Sequence, residues 1–236
     1  MKLCHLWGKD DMKLKWYGHA SFLITANNGL RIVTDPYTPQ TAGYLPIPDE
    51  ARLVIISSGN DSFHCRADLV PGQPVVINAL TLAQANGRTI EQGIEVRAVE
   101  AMEALNHREH DPDQNGMYRF EVDGIHVGHM GDMGNALSIE QLKFFEGVDV
   151  LLALAGGHPT IELDDLMTLI RHVTPKIVVP MHFRTLRYRP RNTYWIETFT
   201  RYFADEEIDF PCVTEVNISR DMLPEKTRLW ILPHAG

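Results

Sequence analysis

The stretch LVIISSGNDSFHC, residues 53–65, constrains this chain more than any other. Leu53, Val54, Ile55 and Ile56 form an unbroken, largely β-branched run, the pattern of a strand buried on both faces. Ser57-Ser58-Gly59-Asn60 then forces a turn. Asp61 and His64 lie three apart just past it, where a carboxylate oxygen and an imidazole nitrogen can be aimed at one point. Taken alone, the same pair reads as a helix cap followed by an ordinary loop histidine.

The chain before this stretch is a β-meander. Lys13 to Gly18 and Ser21 to Ala26 alternate apolar with polar, Asn27-Asn28-Gly29 supplies a tight turn, and Leu30 to Thr34 returns. His19 falls between the first two strands, and Asp35 follows the third. After the focal stretch, Pro74 to Ala79 reads as a strand, Thr81 to Asn86 as a short helix, and Ile94 to Met102 as a strand ending at Glu103. His107 and His110 stand in the polar loop beyond. Asp123-Gly124 marks a hairpin whose second strand ends in His129 and Asp132.

From residue 138 helix alternates with strand. Ser138, with Gln141 three residues on, signals a capping box, and Val148 to Ala155 is a buried strand that runs into Gly156-Gly157-His158. LDDLMTLIRHV is an amphipathic helix, Ile177 to His182 a strand, Tyr194 to Ala204 a long helix, and strands lie near Val213 to Ile218 and Arg228 to Leu232. Strands followed by helices in both halves predict two packed sheets with helices outside, a four-layer αββα sandwich of the α/β (α+β) class. The pattern predicts a single domain over residues 1–236, with residues 1–11 as an N-terminal extension.

Asp61 and His64, Glu103, Asp132, His158 and His182 each follow directly on a predicted strand, where such folds place their sites. The formal charge of −9 argues against a nucleic-acid or anionic-membrane surface. No stretch reaches the length of a membrane span, and three cysteines without metal spacing fit a reducing cytoplasm. Arg184, Arg187, Arg189 and Arg191 gather locally, either as a solvated loop or to meet an anionic substrate.

Tyr17-Gly18-His19-Ala20-Ser21-Phe22, Thr34-Asp35-Pro36, Gly128 to Asp132, Gly156-Gly157-His158 and Val179 to Phe183 resemble the landmarks of the metallo-β-lactamase fold. Within it, the chain is similar to the branch of small cytoplasmic metal-dependent hydrolases that includes the L-ascorbate-6-phosphate lactonases. The family's T-H-x-H-x-D-H motif is degenerate here. His64 matches its last histidine and Asp61 its second, while Gly59 and Phe63 stand at the first histidine and the aspartate.

The resemblance implies hydrolysis by a metal-activated water, with no protein nucleophile, on a small ester, lactone or phosphoester-type substrate. It implies a metal site of Asp61, His64, Glu103, Asp132 and His182, in which His107 and His110 are alternatives to Glu103 as ligands or contact substrate. His19, Asp35 and His129 support these ligands from behind, His158 and Asp132 serve catalysis, and Arg184 contacts substrate. A carboxylate-rich set suits one or two Mn²⁺, Fe²⁺ or Zn²⁺ ions. The competing reading is a decayed site on a metal-free binding protein. A small-molecule partner is expected in either case, and a homo-oligomer is left open.

Overall fold

The structure, a computed structural model, describes residues 11–59, 62–103 and 115–236. Asp61, His107, His110 and residues 1–10 of the expected extension lie outside the described residues.

The meander forms as its alternation dictates. β1 (Met12–Gly18), β2 (Ser21–Thr25) and β3 (Arg31–Thr34) pair antiparallel in chain order. The Asn28 side chain closes the β2–β3 turn by accepting from the Leu30 N–H at 2.9 Å. A one-turn helix, α1 (Pro39–Ala42), sits in the Pro-rich loop, and β4 (Leu53–Ile56) and β5 (Val75–Asn78) then add in parallel. All four residues of β4 are buried, as its unbroken apolar run requires.

α2 (Ala79–Ala85) begins two residues before the position the sequence indicates, because the Asn78 side chain caps it by accepting from the Thr81 N–H. β6 (Arg88–Glu91) is not evident in the sequence. It carries one isoleucine and forms by pairing with β7 (Ile94–Ala101) across a Gln92-Gly93 turn. β8 (Asn115–Val122) and β9 (Ile125–His129) meet at Asp123 and Gly124, both at positive φ as a type I′ turn demands.

α3 (Ile139–Phe144) carries the complete Ser138/Gln141 capping box. Ser138→Ala should therefore lower stability by about 1 kcal/mol, a change that urea denaturation can resolve. β10 (Val150–Leu154), α4 (Leu163–Val173) and β11 (Ile177–Met181) follow. α4 turns Leu163, Leu166, Met167, Leu169, Ile170 and Val173 inward, an apolar stripe at helical spacing.

The long helix expected over Tyr194 to Ala204 is only α5 (Ile196–Thr200). Tyr194 is held extended instead: its N–H bonds the Gly156 carbonyl at 2.7 Å, and its carbonyl accepts from the Arg184 N–H at 2.7 Å. Beyond Thr200 the backbone closes in i→i+3 turns. β12 (Ile208–Asp209), β13 (Glu215–Ile218) and β14 (Arg228–Trp230) end the chain.

Among the described residues the strands make two sheets, in the orders β13-β1-β2-β3-β4-β5 and β12-β14-β11-β10-β9-β8-β7-β6. Inward residues of both, Leu14, Phe22, Ile32 and Ile55 from the first and Met117 and Val127 from the second, belong to one continuous core with α4. This is an α/β sandwich of two sheets. The outward residues of the first sheet, Tyr17, Leu23, Val33 and Val54, pack on Tyr37, Tyr44, Ile47 and Tyr188 from loops. Much of the cover on that side is thus loop rather than helix. β9, β10 and β11 run parallel and bring their C-terminal ends to one edge.

Candidate metal centre

His64 lies just past β4, Glu103 just past β7, Asp132 just past β9 and His182 just past β11. All four line one cavity of about 210 Å³. His19, from the β1–β2 turn, lines it too, with Phe63 and Tyr188. The two sheets are tied together at this point. The His182 N–H donates to the His19 carbonyl at 3.0 Å, and Trp16 Nε1 donates to the same oxygen at 3.1 Å.

His19, Asp35 and His182 hold φ values of +51°, +36° and +59°. Non-glycine residues rarely sit there, and such conformations cluster where surrounding structure enforces them at functional sites. Each of these three directly ends a strand or begins the turn after it.

His19, His64 and His182 are buried, and one potential ligand atom from each lies within 4.8 Å of the others. Asp132 completes the group at the cavity side, with Oδ1 3.2 Å from His182 Nε2 and Oδ2 3.7 Å from His64 Nδ1. The 3.2 Å contact has the length of a hydrogen bond but not its geometry, and the buried Asp132 Oδ1 accepts none among the described residues. Two donor atoms about 3.3 Å apart without a hydrogen bond are what two ligands of one tetrahedral ion present, given bonds of about 2.0–2.1 Å. The residues present therefore fit a divalent ion. His64, His182 and Asp132 would hold it, with His19 beside them. Burial, then the neighbouring His182, His64 and His129, push the His19 pKa well below its ordinary value. His19 is therefore neutral at pH 7, the form that ligates.

Behind these residues lies a buried scaffold. His129 Nδ1 accepts from the Gly131 N–H at 2.9 Å, so its proton is on Nε2, which donates to the Ala20 carbonyl at 2.9 Å. That tautomer is neutral, so the 3.9 Å approach of Asp35 to His129 Nδ1 is not an ion pair. Asp35 Oδ1 instead accepts from the Ser57 N–H at 2.7 Å and fixes the start of the turn that leads to His64. The Asn115 amide oxygen accepts from the Asp132 N–H at 3.0 Å. Gly131, at φ +62°, leaves room for this, since a Cβ there would stand 2.6 Å from that oxygen.

Burial pushes the His129 pKa down to about 3. An unfolded histidine titrates near 6.5, so between about pH 6.5 and 3 the unfolded chain binds a proton that the folded one refuses. The stabilisation is complete above pH 6.5 and is lost as pH falls. For His129 alone, the stability of metal-free protein should drop by up to about 1.4 kcal/mol per pH unit below pH 6. Denaturation midpoints at pH 7, 5.5 and 4.5 check this, and a flat profile contradicts it.

Three sequence-based expectations change. His158 is exposed, and it is the next residue, Pro159, that lines the cavity. Arg184 does not line the cavity either. Its guanidinium lies 4.8 Å from the centre of the Trp195 ring, a cation–π contact that carries it elsewhere. His19, expected behind the ligands, lines the cavity, with a potential ligand atom within 4.8 Å of those of His64 and His182. The strand-end rule that selected the other residues selects His19 as well, once applied to β1. Tyr188, whose hydroxyl is 3.1 Å from His19 Nε2, carries no sequence signal.

The profile of a family described as the β-lactamase superfamily domain matches residues 13–182, from the first strand through His182. The chain belongs to this family. It is 28% identical over 185 residues to a UPF0173 protein of Pyrococcus abyssi, covering 74% of this chain and 84% of that one. It is 26% identical over 200 residues to a UPF0173 metal-dependent hydrolase of Thermoplasma acidophilum, covering 75% and 85%. Among solved structures, a candidate Zn-dependent hydrolase of the metallo-β-lactamase superfamily from Thermotoga maritima superposes with a TM-score of 0.71 and 27% identity, covering 94% of this chain and 98% of that one. In this β-lactamase superfamily member the motif's remaining histidine, His64, follows β4 within the matched region and lines the cavity. No helix among the described residues is long and apolar enough to cross a membrane.

Proposed function

We propose that this chain is a metal-dependent hydrolase acting on a small ester, lactone or phosphoester-type substrate. The observation that carries the reading is the convergence of three buried histidines and Asp132 in one cavity at the strand ends. The hydrolase names of the relatives support it. A bound divalent ion supplies Lewis acidity and a water acidic enough to attack near neutral pH.

The chain's own residues do the rest. His64 and His182 are held as ligands by their strand ends, and His182 by its backbone bond to the His19 carbonyl. The Asp132 carboxylate, partly open to the cavity, is placed to accept a proton from the attacking water. Phe63, Pro159 and Pro190 wall the cavity with apolar surface and limit the water around the reacting bond. The volume, about 210 Å³, is below the roughly 300–1,000 Å³ of drug-sized pockets and favours a small substrate or the reacting end of a larger one. Among the described residues three imidazoles, of His19, His64 and His182, gather with the Asp132 carboxylate, which favours Zn²⁺ or Fe²⁺ over Mn²⁺.

The test is a panel of lactones, carboxylic esters and phosphodiesters, each assayed with metal-free protein and after loading with Zn²⁺, Fe²⁺ or Mn²⁺. Hydrolysis of at least one class should appear on loading and vanish with a chelator. A loaded protein inert toward all three classes contradicts the proposal.

A further inference from the structure

Of the motif's four ligating side chains this chain keeps only His64, with Gly59, Asp61 and Phe63 at the other three positions, and His19, outside the motif, packs against what remains. Phe63 occupies the position of the motif aspartate, and its ring centre is 5.4 Å from that of His19. The His19 ring centre in turn lies 4.0 Å from His182 and 4.7 Å from His64. The His19 ring thus lies against both His64, the one histidine the motif retains, and His182 at the end of β11.

The proton on His19 can be located. Nε2 is 3.1 Å from the Tyr188 hydroxyl, whereas Nδ1 is buried without a hydrogen-bond partner among the described residues. A proton on Nδ1 would be a buried donor with nothing to accept it, which is costly. A proton on Nε2 is donated to the Tyr188 oxygen and leaves a bare lone pair on Nδ1. Such a lone pair is satisfied by a cation.

Tyr188 is well placed to impose this tautomer. It is buried, and the loop around it is pinned on both sides. Its own N–H donates to Thr185 Oγ1 at 3.1 Å, the next N–H, of Arg189, donates to the Ala42 carbonyl at 3.0 Å, and Thr185 Oγ1 also lies 2.9 Å from the Tyr44 hydroxyl.

The geometry points to His19 as a metal ligand through Nδ1, replacing a lost motif side chain, with Tyr188 as the positioning residue that holds its proton on Nε2. Histidine ligands ordinarily give their second N–H to a carboxylate, carbonyl or water. Here a phenol oxygen serves. The inference rests on the metal-dependent reading above and goes further, by assigning a ligand and its orienting partner.

The test measures Zn²⁺ affinity by competition with a chromophoric chelator and the visible spectrum of the Co²⁺-loaded protein, for wild type, His19→Asn, Tyr188→Phe and the double variant. Asn tolerates the positive φ at residue 19, and melting of the metal-free proteins monitors folding. His19→Asn should weaken Zn²⁺ by more than about 100-fold, and Tyr188→Phe by about 10–100-fold, the range for partners that orient a ligand. His19→Asn should alter the Co²⁺ spectrum, whereas Tyr188→Phe should keep one ion per chain at saturation. In the His19→Asn background, Tyr188→Phe should have no further effect, because it acts only through His19. Wild-type affinity in His19→Asn, or an equal loss from Tyr188→Phe in both backgrounds, overturns the inference while leaving the hydrolase reading standing. Wild-type protein that binds no metal overturns both.

Discussion

His182→Asn should strip the protein of bound divalent metal and of hydrolysis while leaving it folded. His182 sits at φ +59°, which Asn tolerates and most residues do not, so the substitution removes the imidazole without forcing the backbone. Its N–H can still donate to the His19 carbonyl, and the tie between the two sheets persists. What is lost is the side chain between His19 and Asp132, 4.0 Å from one ring centre and 3.2 Å from the other's carboxylate. The loss of affinity should exceed the roughly 100-fold upper range for residues that only orient a ligand. The fold should survive because the apolar strands and α4 supply the core of a chain this long. Metal titration together with the melting curve of the metal-free protein separates the two effects. Unchanged affinity in a folded variant contradicts the assignment.

Gly156→Ala should be the more damaging change to the structure. Gly156 follows β10, and a Cβ there would stand 2.2 Å from the His182 carbonyl oxygen and 3.1 Å from its carbonyl carbon. That neighbour is backbone and cannot swing aside as a flexible side chain can. Relief requires β10 and β11 to part at the ends that carry the site, at a cost of about 2–4 kcal/mol. His182 would move with its carbonyl, so metal affinity should fall as well. Chemical denaturation and metal titration of the variant check both. Wild-type stability would mean that the two strand ends are not packed as described.

How much of this was legible in the sequence depends on how local each signal is. The meander, the Asp123-Gly124 hairpin, the Ser138 capping box and α4 are readable because residues within one turn or one face determine them. The short α5 is not, because Tyr194 is held extended by Gly156 and Arg184, neither of them a neighbour in sequence. β6 forms only because β7 is there to pair with it. The positions of His64, Glu103, Asp132 and His182 around one cavity follow from a single rule, chemistry at strand ends. The rule does not show that His158 is exposed and off the cavity lining, which depends on how the Gly156-Gly157-His158-Pro159 turn is laid against Tyr194. The motif, not the rule, leaves His19 out, because a motif read along the chain cannot show a side chain arriving from 45 residues away. Tyr188 reaches His19 across 169 residues, a distance that only the closed fold spans.

The proposed function requires that the strand-end histidines and Asp132 hold a divalent ion. Elemental analysis of the purified protein, before and after saturation with Zn²⁺, Fe²⁺ and Mn²⁺ in turn, tests it most directly. The wild type should hold at least one ion per chain, and His182→Asn should retain none after the same buffer exchange. Wild-type protein that retains none of the three metals above background would contradict it.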